Sequence, residues 1–216
     1  MRNGKIFEVD ARDYATVQDA INAAEALTES ESAQAPSGVM VLIPPGDYDY
    51  HIAITKNVSL KGAGGWQTVL RNITIKPASG DVCPQNIAIT GIYFQGSVTI
   101  TNDAGSSVFN PDMGKWDINF NQCVWETLTA ENICNISARE CQGYGAQSYE
   151  NCPSVGLYNS VFVEGQLLFS GDSQESNQCS NLDNEEYVLN TYNTVIPDLS
   201  VVTESGSAFP AVHNNF

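Results

Sequence analysis

The sequence contains few of the residues from which common enzymatic sites are built. Only two histidines occur, His51 and His213, so a histidine-based metal cluster or hydrolase triad has few available members. Glycine-rich phosphate-binding loops, HExxH and GxSxG are absent from the sequence, and so is the CxxC spacing typical of zinc ligands. We therefore expect neither a cofactor nor a bound metal.

Basic residues are also scarce. Nine Lys and Arg stand against 25 Asp and Glu, which gives a formal net charge of −16. From Pro77 onward, the only basic residues are Lys115 and Arg139, against 16 acidic ones. Such a surface repels phosphate backbones and anionic lipid, so neither nucleic acid nor a membrane is an expected partner. No membrane-length apolar run and no signal-peptide core are present, so we expect synthesis in a cytoplasm.

Helical periodicity is found near the N-terminus. Apolar residues from Val17 to Leu27 recur at helical spacing and predict an amphipathic helix over about 16–27. Thr16 suits the N-cap, and Asp19 takes the place of the acid in a capping box. After Gly38 the apolar residues alternate in short runs bounded by Gly, Asn, Thr and Pro, which predicts short β-strands.

These strands share a repeated pattern: apolar, any, apolar, a two-residue turn, a small residue, any, and usually an aromatic. The copies are spaced by 29, 31, 18 and 19 residues, and a weaker copy follows 27 residues later. Their first residues are Val58, Ile87, Ile118, Ile136, Val155 and Leu182. The spacing predicts an all-β fold, a single-stranded parallel β-helix of about six to seven short coils. It would span residues 1–200, with the helix as N-terminal cap and a C-terminal arm over 201–216.

Three segments near the N-terminus carry a family resemblance. They are Ala-Thr-Val-Gln-Asp-Ala-Ile-Asn-Ala-Ala at 15–24, Val-Met-Val-Leu-Ile-Pro-Pro-Gly-Asp-Tyr at 39–48 and Asn-Val-Ser-Leu-Lys-Gly-Ala-Gly at 57–64. Together they resemble the start of the pectin-lyase-like superfamily, which includes pectinesterases, pectate lyases, polygalacturonases and phage tailspikes. The resemblance covers roughly residues 10–70, and the coil pattern continues to about 170. It implies a right-handed β-helix of the tailspike or virion type rather than an active pectinase.

No catalytic residue can be assigned from this resemblance, because the catalytic strings of the pectin-degrading members are absent. The alternative is another small carbohydrate-active enzyme, a glycosidase or lyase; a glycosidase would need two carboxylates about 5–9.5 Å apart. Glu126, Glu140 and Glu164 come from successive coils near the aromatic positions and are its candidates. The competing interpretation, which we prefer, is that these carboxylates are solvated surface groups.

Phe94, Trp125 and Phe162 occupy equivalent positions, with Gly143 interrupting them, and predict an inward aromatic ladder. A sugar-stacking role would require the ladder to face outward, whereas its alternation with the apolar positions indicates the core. Packing is therefore the preferred interpretation.

Four cysteines form two pairs at a spacing of 18 residues: Cys123 with Cys141, and Cys134 with Cys152. Equivalent residues of stacked coils lie about 5 Å apart, within the range that a disulfide bridges. For Cys123 and Cys141 we expect free buried thiols. For Cys134 and Cys152 a disulfide and free thiols both remain open.

The function expected is that of a non-catalytic structural or adhesive protein of a phage or virus particle, such as a capsid decoration, spike or fibre component. A homo-oligomer, with a trimer favoured, would form through the C-terminal arm and the longer loops near 76–86, 101–117 and 170–181. Other virion proteins are the further expected partners. The alternative is a glycan-binding module that uses the solenoid face.

Overall fold

The computed structural model describes residues 7–28, 38–64, 66–76, 86–101, 117–133, 135–150, 152, 154–171, 188–203 and 211–215. These residues are mostly β-strand, with one α-helix and one 3-10 turn among them. The expected all-β class is therefore confirmed. All of the strand pairs within these ranges are parallel.

The strands form two sheets. In spatial order the first contains β1 (Phe7–Asp10), β2 (Val39–Leu42), β4 (Val58–Lys61), β6 (Asn86–Thr90), β8 (Asp117–Asn121), β10 (Asn135–Arg139), β13 (Ser154–Tyr158), β16 (Val188–Tyr192) and β18 (Ala211–Asn215). The second contains β17 (Leu199–Thr203), β15 (Leu167–Gly171), β12 (Gln147–Glu150), β9 (Val124–Glu131), β7 (Tyr93–Thr101), β5 (Thr68–Ile75) and β3 (Gly46–Ile54). Two short strands, β11 (Gln142–Gly143) and β14 (Val161–Phe162), also belong to it.

The sequence repeats are in register in the first sheet. Ile87 lies opposite Ile118, Ile118 opposite Ile136, and Ile136 opposite Val155, as the pattern predicts. From β2 onward the chain alternates between the sheets, so each repeat contributes one strand to the first sheet and one or two to the second. Each repeat can therefore bury its apolar side chains only when its neighbours are in place.

The second sheet bends at one level along its strands. Register shifts occur between Tyr48 and His51, Leu70 and Ile73, and Phe94 and Ser97 in successive strands. The next two repeats break at the same level into β11 with β12 and β14 with β15. Because a bulge bends its strand, the aligned irregularities divide the sheet into two parts.

A residue with left-handed backbone ends strands of the first sheet at equivalent positions. The φ angles are 66° at Gly91, 52° at Gln122, 55° at Glu140, 49° at Asn159 and 47° at Asn193. In the first four of these residues, the backbone N–H donates to a carbonyl oxygen of the next repeat. Glycine and asparagine suit this conformation, whereas other residues pay about 1–2 kcal/mol for it.

The N-terminal helix, α1 (Val17–Thr28), begins where its capping residues predict. Thr16 Oγ1 accepts a hydrogen bond from the Asp19 backbone N–H at 3.1 Å, and the same hydroxyl donates to the Asp19 carboxylate at 2.8 Å. The apolar face of α1 is buried as far as Ala24, whereas Leu27 is 40% exposed. The last residue of the predicted apolar stripe therefore lies at the surface.

Polar side chains of α1 bind the strand at the end of the second sheet. Gln18 Oε1 accepts the backbone N–H of Ala53 in β3 at 2.7 Å, and Gln18 Nε2 donates to the Ala53 carbonyl oxygen at 3.1 Å. Glu25 accepts hydrogen bonds from the backbone N–H groups of Thr55 and Lys56. These side chains replace the missing neighbouring strand and protect the edge.

Buried side chains from α1 and both sheets form one apolar cluster. Phe120 of β8 and Trp125 of β9 connect the two sheets within it, with ring centroids 5.3 Å apart in an edge-on arrangement. Edge-on aromatic pairs of this kind contribute about 0.5–1.5 kcal/mol beyond the burial of their surface.

The segment predicted as a C-terminal arm contributes strands to both sheets. β17 pairs with β15, and β18 pairs with β16. The predicted boundary at residue 200 therefore falls inside β17. In the first sheet, β16 pairs with β13 and places Leu189 opposite Val155. The weaker repeat predicted at Leu182 lies outside the described residues, as do most of the three loops predicted to form binding surfaces.

Candidate functional site

The predicted aromatic ladder lies in the core. Phe94 is opposite Trp125, Trp125 is opposite Gly143, and Gly143 is opposite Phe162. All three aromatic side chains are buried. Trp125 Nε1 donates to Gln147 Oε1 at 2.6 Å, which satisfies the indole N–H inside the protein. The ladder therefore packs the core and presents no surface to a ligand.

Cys123, Cys141 and Cys152 are buried free thiols in the structure. Cys123 and Cys141 occupy equivalent positions in adjacent repeats, and their thiols donate to the carbonyl oxygens of Ile89 and Arg139, at 3.3 and 3.2 Å. Burial raises the pKa of Cys141, and it raises the pKa of Cys152 to about 12. Cys134, the predicted disulfide partner of Cys152, lies outside the described residues.

The three candidate glutamates differ in their surroundings. Glu140 is exposed at a left-handed corner and accepts a hydrogen bond from Gln122 Nε2 at 2.9 Å. Glu164 is exposed between β14 and β15. Glu126 lies in β9, is partly buried, and accepts a hydrogen bond from the Tyr93 hydroxyl at 3.2 Å. In the described part of the chain, no hydrogen bond joins any two of these glutamates.

Glu126 belongs to a group of aromatic and polar residues on the outer face of the second sheet. Trp66 is 60% exposed and lies against the ring of Tyr93, with centroids 4.8 Å apart and an angle of 52° between the rings. Tyr144 lies level with Glu126, one residue beyond the end of β11, and its hydroxyl donates to Gln142 Oε1 at 3.2 Å. We call Trp66, Tyr93, Glu126, Gln142 and Tyr144 the aromatic patch.

Strand alternation explains why the aromatic patch faces outward. Tyr93 precedes the buried Phe94, and Glu126 follows the buried Trp125, so both side chains leave the opposite face of the sheet. The Tyr93 hydroxyl remains partly shielded from water. Burial, followed by its hydrogen bond to Glu126, raises the pKa of Tyr93, so its hydroxyl stays a hydrogen-bond donor at neutral pH.

Trp66 reaches the aromatic patch through a tightly packed glycine turn. The Gly64 N–H donates to the carbonyl oxygen of Gly91 in the next repeat at 3.1 Å. A Cβ atom on Gly62 would collide with the same carbonyl oxygen and with the following side chain. Because the two backbones approach so closely, the turn places Trp66 over Tyr93.

Exposed valines continue this surface along the sheet. Val161 lies opposite Gln142, and Val195 lies opposite Val161. Both are exposed, as is Val163. The aromatic patch is therefore one end of a longer strip that combines apolar surface with carboxylate and amide groups. Aromatic faces stack on the apolar faces of sugar rings, and carboxylate or amide oxygens accept hydrogen bonds from sugar hydroxyls.

A concave feature lies near the N-terminal end of the first sheet. This cleft has a volume of about 320 Å³, and its lining includes Pro44, Pro45 and Lys61. Arg12 at its wall forms two-pronged hydrogen bonds to Asp10 and lowers the pKa of that carboxyl to about 2. Because Asp10 already neutralises the charge of Arg12, this arginine would attract an anion into the cleft only weakly.

Within the described ranges, no cluster of three or more His, Cys, Asp or Glu side chains is arranged to hold a metal ion. The helix in those ranges is too short and too polar to cross a membrane.

No family model matches the sequence, and neither the curated proteins nor the solved structures gave a match to it.

Proposed function

We propose that the two sheets wind as a right-handed parallel β-helix of the pectin-lyase-like type. Three observations support this proposal: consecutive strands alternate between two parallel sheets, the sheets share one core, and left-handed residues mark equivalent corners. The handedness follows from the strong preference of parallel crossover connections for the right-handed form. The sequence resemblance over residues 10–70 agrees with this winding.

We propose that the protein is a non-catalytic adhesive protein that binds a glycan at the aromatic patch. The observation that carries the proposal is the exposed Trp66 ring packed on Tyr93, whose hydroxyl is bonded to Glu126. This arrangement presents an apolar face and a hydrogen-bonding carboxylate side by side. A sugar ring needs both: one for its C–H face and one for its hydroxyl groups.

A binding role suits the carboxylates better than catalysis does. A glycosidase uses two carboxylates on either side of one bond. Glu126 is hydrogen-bonded to Tyr93, whereas Glu140 is hydrogen-bonded to Gln122 at a corner that follows the first sheet. Glu164 lies beyond β14 in a later repeat. The three side chains thus occupy different positions along their repeats.

The proposed setting of this adhesive protein is a phage or virus particle, in which it would form a homo-oligomer, with a trimer favoured. The support is the resemblance to a superfamily that includes tailspikes, together with the regular stack of parallel strands. Light scattering on the full-length chain tests this part of the proposal. A defined trimer is expected, and a monomer at all accessible concentrations would contradict it.

Glycan binding is tested by screening the full-length protein on a glycan array and titrating the best ligand in solution. Trp66→Ala should weaken binding about five- to hundredfold, since stacking of a ring on an aromatic side chain contributes about 1–3 kcal/mol. Tyr192→Ala is the matched control, because it removes another exposed ring, 52% accessible, from the first sheet. It should leave the affinity unchanged.

Two outcomes would overturn the proposal. The first is that no glycan binds. The second is that Trp66→Ala and Tyr192→Ala weaken binding equally. Release of shortened oligosaccharides during the titration, lost in Glu126→Gln, would instead indicate an enzyme.

A further inference from the structure

We propose that the aromatic patch selects glycans that carry free amino groups, so that a positively charged amino sugar is bound in preference to a neutral or acidic one. This inference rests on the proposed glycan-binding function and specifies its ligand class. It is derived from the environment of Glu126 and from the charges of the surrounding strands.

The Glu126 carboxylate has an oxygen available for a ligand. Tyr93 donates to Oε1 at 3.2 Å, and the described residues provide no hydrogen bond to Oε2. Glu126 is also partly buried, so its negative charge is less completely hydrated than that of Glu140 or Glu164. An ammonium group next to Oε2 would form a charge-assisted hydrogen bond, which is stronger than one from a neutral hydroxyl.

The rings of the aromatic patch favour the same ligand charge. The ring centroids of Trp66 and Tyr93 lie 4.8 Å apart, and most of the Trp66 side chain remains accessible. A cation near the face of a tryptophan or tyrosine ring is attracted by the ring quadrupole. An amino sugar can therefore place its apolar face on Trp66 while its ammonium group binds Glu126 and is attracted by the face of a neighbouring ring.

Among the described residues, no cation forms an ion pair with Glu126. Arg71, on the neighbouring part of the second sheet, is paired with Asp49 at 3.4 Å. Past Lys76, the described residues contain one cation, Arg139, which lies over the ring of Tyr158 in the first sheet at 5.1 Å.

Acidic groups lie on the strands of the site itself. Glu131 of β9 is directly opposite Glu150 of β12. Their like charges add negative potential along the strand that carries Glu126. An acidic glycan would meet repulsion there, whereas a cationic one would be attracted.

The test compares three hexasaccharides by titration with the full-length protein at about pH 6, where glucosamine amines are protonated, and about 150 mM salt. They are the β-1,4 glucosamine hexamer, its fully N-acetylated form, and a hyaluronan hexamer. We expect the glucosamine hexamer to bind at least about tenfold more tightly than the acetylated form, and hyaluronan to bind most weakly. Glu126→Gln should reduce the preference for the glucosamine hexamer over its acetylated form to a factor of about one to three. Glu164→Gln is the matched control, since it removes one exposed carboxylate from another repeat, and it should keep the ratio.

Each outcome distinguishes the two proposals. If the acetylated or hyaluronan hexamer binds as tightly as the amino form, and binding still depends on Trp66, the amino-sugar inference is wrong and glycan binding stands. If Glu164→Gln lowers the ratio as much as Glu126→Gln does, the preference reflects general attraction to an acidic protein and the inference is also wrong. If no hexamer binds and the array shows no glycan dependent on Trp66, the function itself fails.

Discussion

Replacing Tyr149 by phenylalanine is expected to stabilise the protein. Tyr149 lies in β12 between Ala130 and Phe169 of the adjacent strands. Its side chain is fully buried, and its hydroxyl has no hydrogen-bond partner in the described structure. An unsatisfied buried hydroxyl costs about 1–3 kcal/mol. Tyr149→Phe removes that cost and keeps the ring, so we expect the free energy of unfolding to rise by about 1 kcal/mol or more.

The surroundings of Tyr149 keep its hydroxyl in the neutral form. Burial, with smaller effects of Cys152 and Cys141, raises the pKa of Tyr149 above its usual value. The group therefore enters the folded core as a protonated donor that loses its hydrogen bonds to water. This loss, rather than ionisation, is the destabilising effect that the substitution relieves.

Tyr50→Phe is the matched control, because it deletes the same atom where the hydroxyl has a partner. Tyr50 Oη accepts a hydrogen bond from the Val17 N–H at the start of α1, at 2.9 Å. Its removal leaves that N–H unpaired, so we expect the free energy of unfolding to fall by about 0.5–1.5 kcal/mol. The two substitutions should thus change stability in opposite directions.

Urea unfolding followed by circular dichroism and by tryptophan fluorescence measures both variants. Coincident transitions are required first, because repeat proteins do not always unfold in one step. In a chain of this size, 1 kcal/mol corresponds to a Tm shift of about 2–4 °C. If Tyr149→Phe lowered stability as Tyr50→Phe does, the Tyr149 hydroxyl would have a favourable partner and the reasoning would be refuted.

Two other predictions concern the glycine turn and the buried thiols. Gly62→Ala should lower the free energy of unfolding by about 1–3 kcal/mol, because its Cβ meets the backbone of Gly91. Gly38→Ala is the control and should change stability little, since a Cβ on Gly38 meets nothing within 4 Å. Equal losses of Tm in the two variants would contradict the close packing at Gly62. Cys152, with its pKa raised to about 12, should resist iodoacetamide at pH 8 until the protein unfolds. Peptide mass spectrometry measures the labelling, and rapid modification of folded protein would show that the thiol is accessible.

The repeat register could be predicted from the sequence because two local requirements recur at fixed spacing. Inward positions must be apolar at a period of two, as at Ile118 and Phe120, and a small or polar residue must follow the corner. Those requirements give the same alignment as the pairing of Ile87 with Ile118 and of Ile136 with Val155. The segment after residue 200 lacks such a pattern, and its pairing with β15 and β16 was correspondingly not predicted.

The aromatic patch was missed for a different reason. The pattern indicates that Tyr93 faces outward, since it alternates with Phe94, yet says nothing of what lies beside it. Trp66 comes from the preceding repeat, and its position depends on the contact between two backbones at Gly64 and Gly91. The sequence shows a tryptophan directly after a glycine-rich segment, but nothing in it indicates that this tryptophan contacts Tyr93.

In one repeat, the inward residue Trp125 has a structural role, and the next residue, the outward Glu126, is available for binding. The inward Trp125 lies opposite Phe94, packs against Phe120 across the core and donates its N–H to Gln147, so its substitution should first affect folding. Glu126, the next residue, points outward and contacts Tyr93, so its substitution can change ligand charge preference while the core stays intact. Strand alternation in such a repeat determines which positions face outward, whereas the residue type at an outward position can vary without disturbing the core. Comparison of Glu126→Gln with Glu164→Gln therefore tests the site itself, because both substitutions remove one outer carboxylate and neither alters the packed interior.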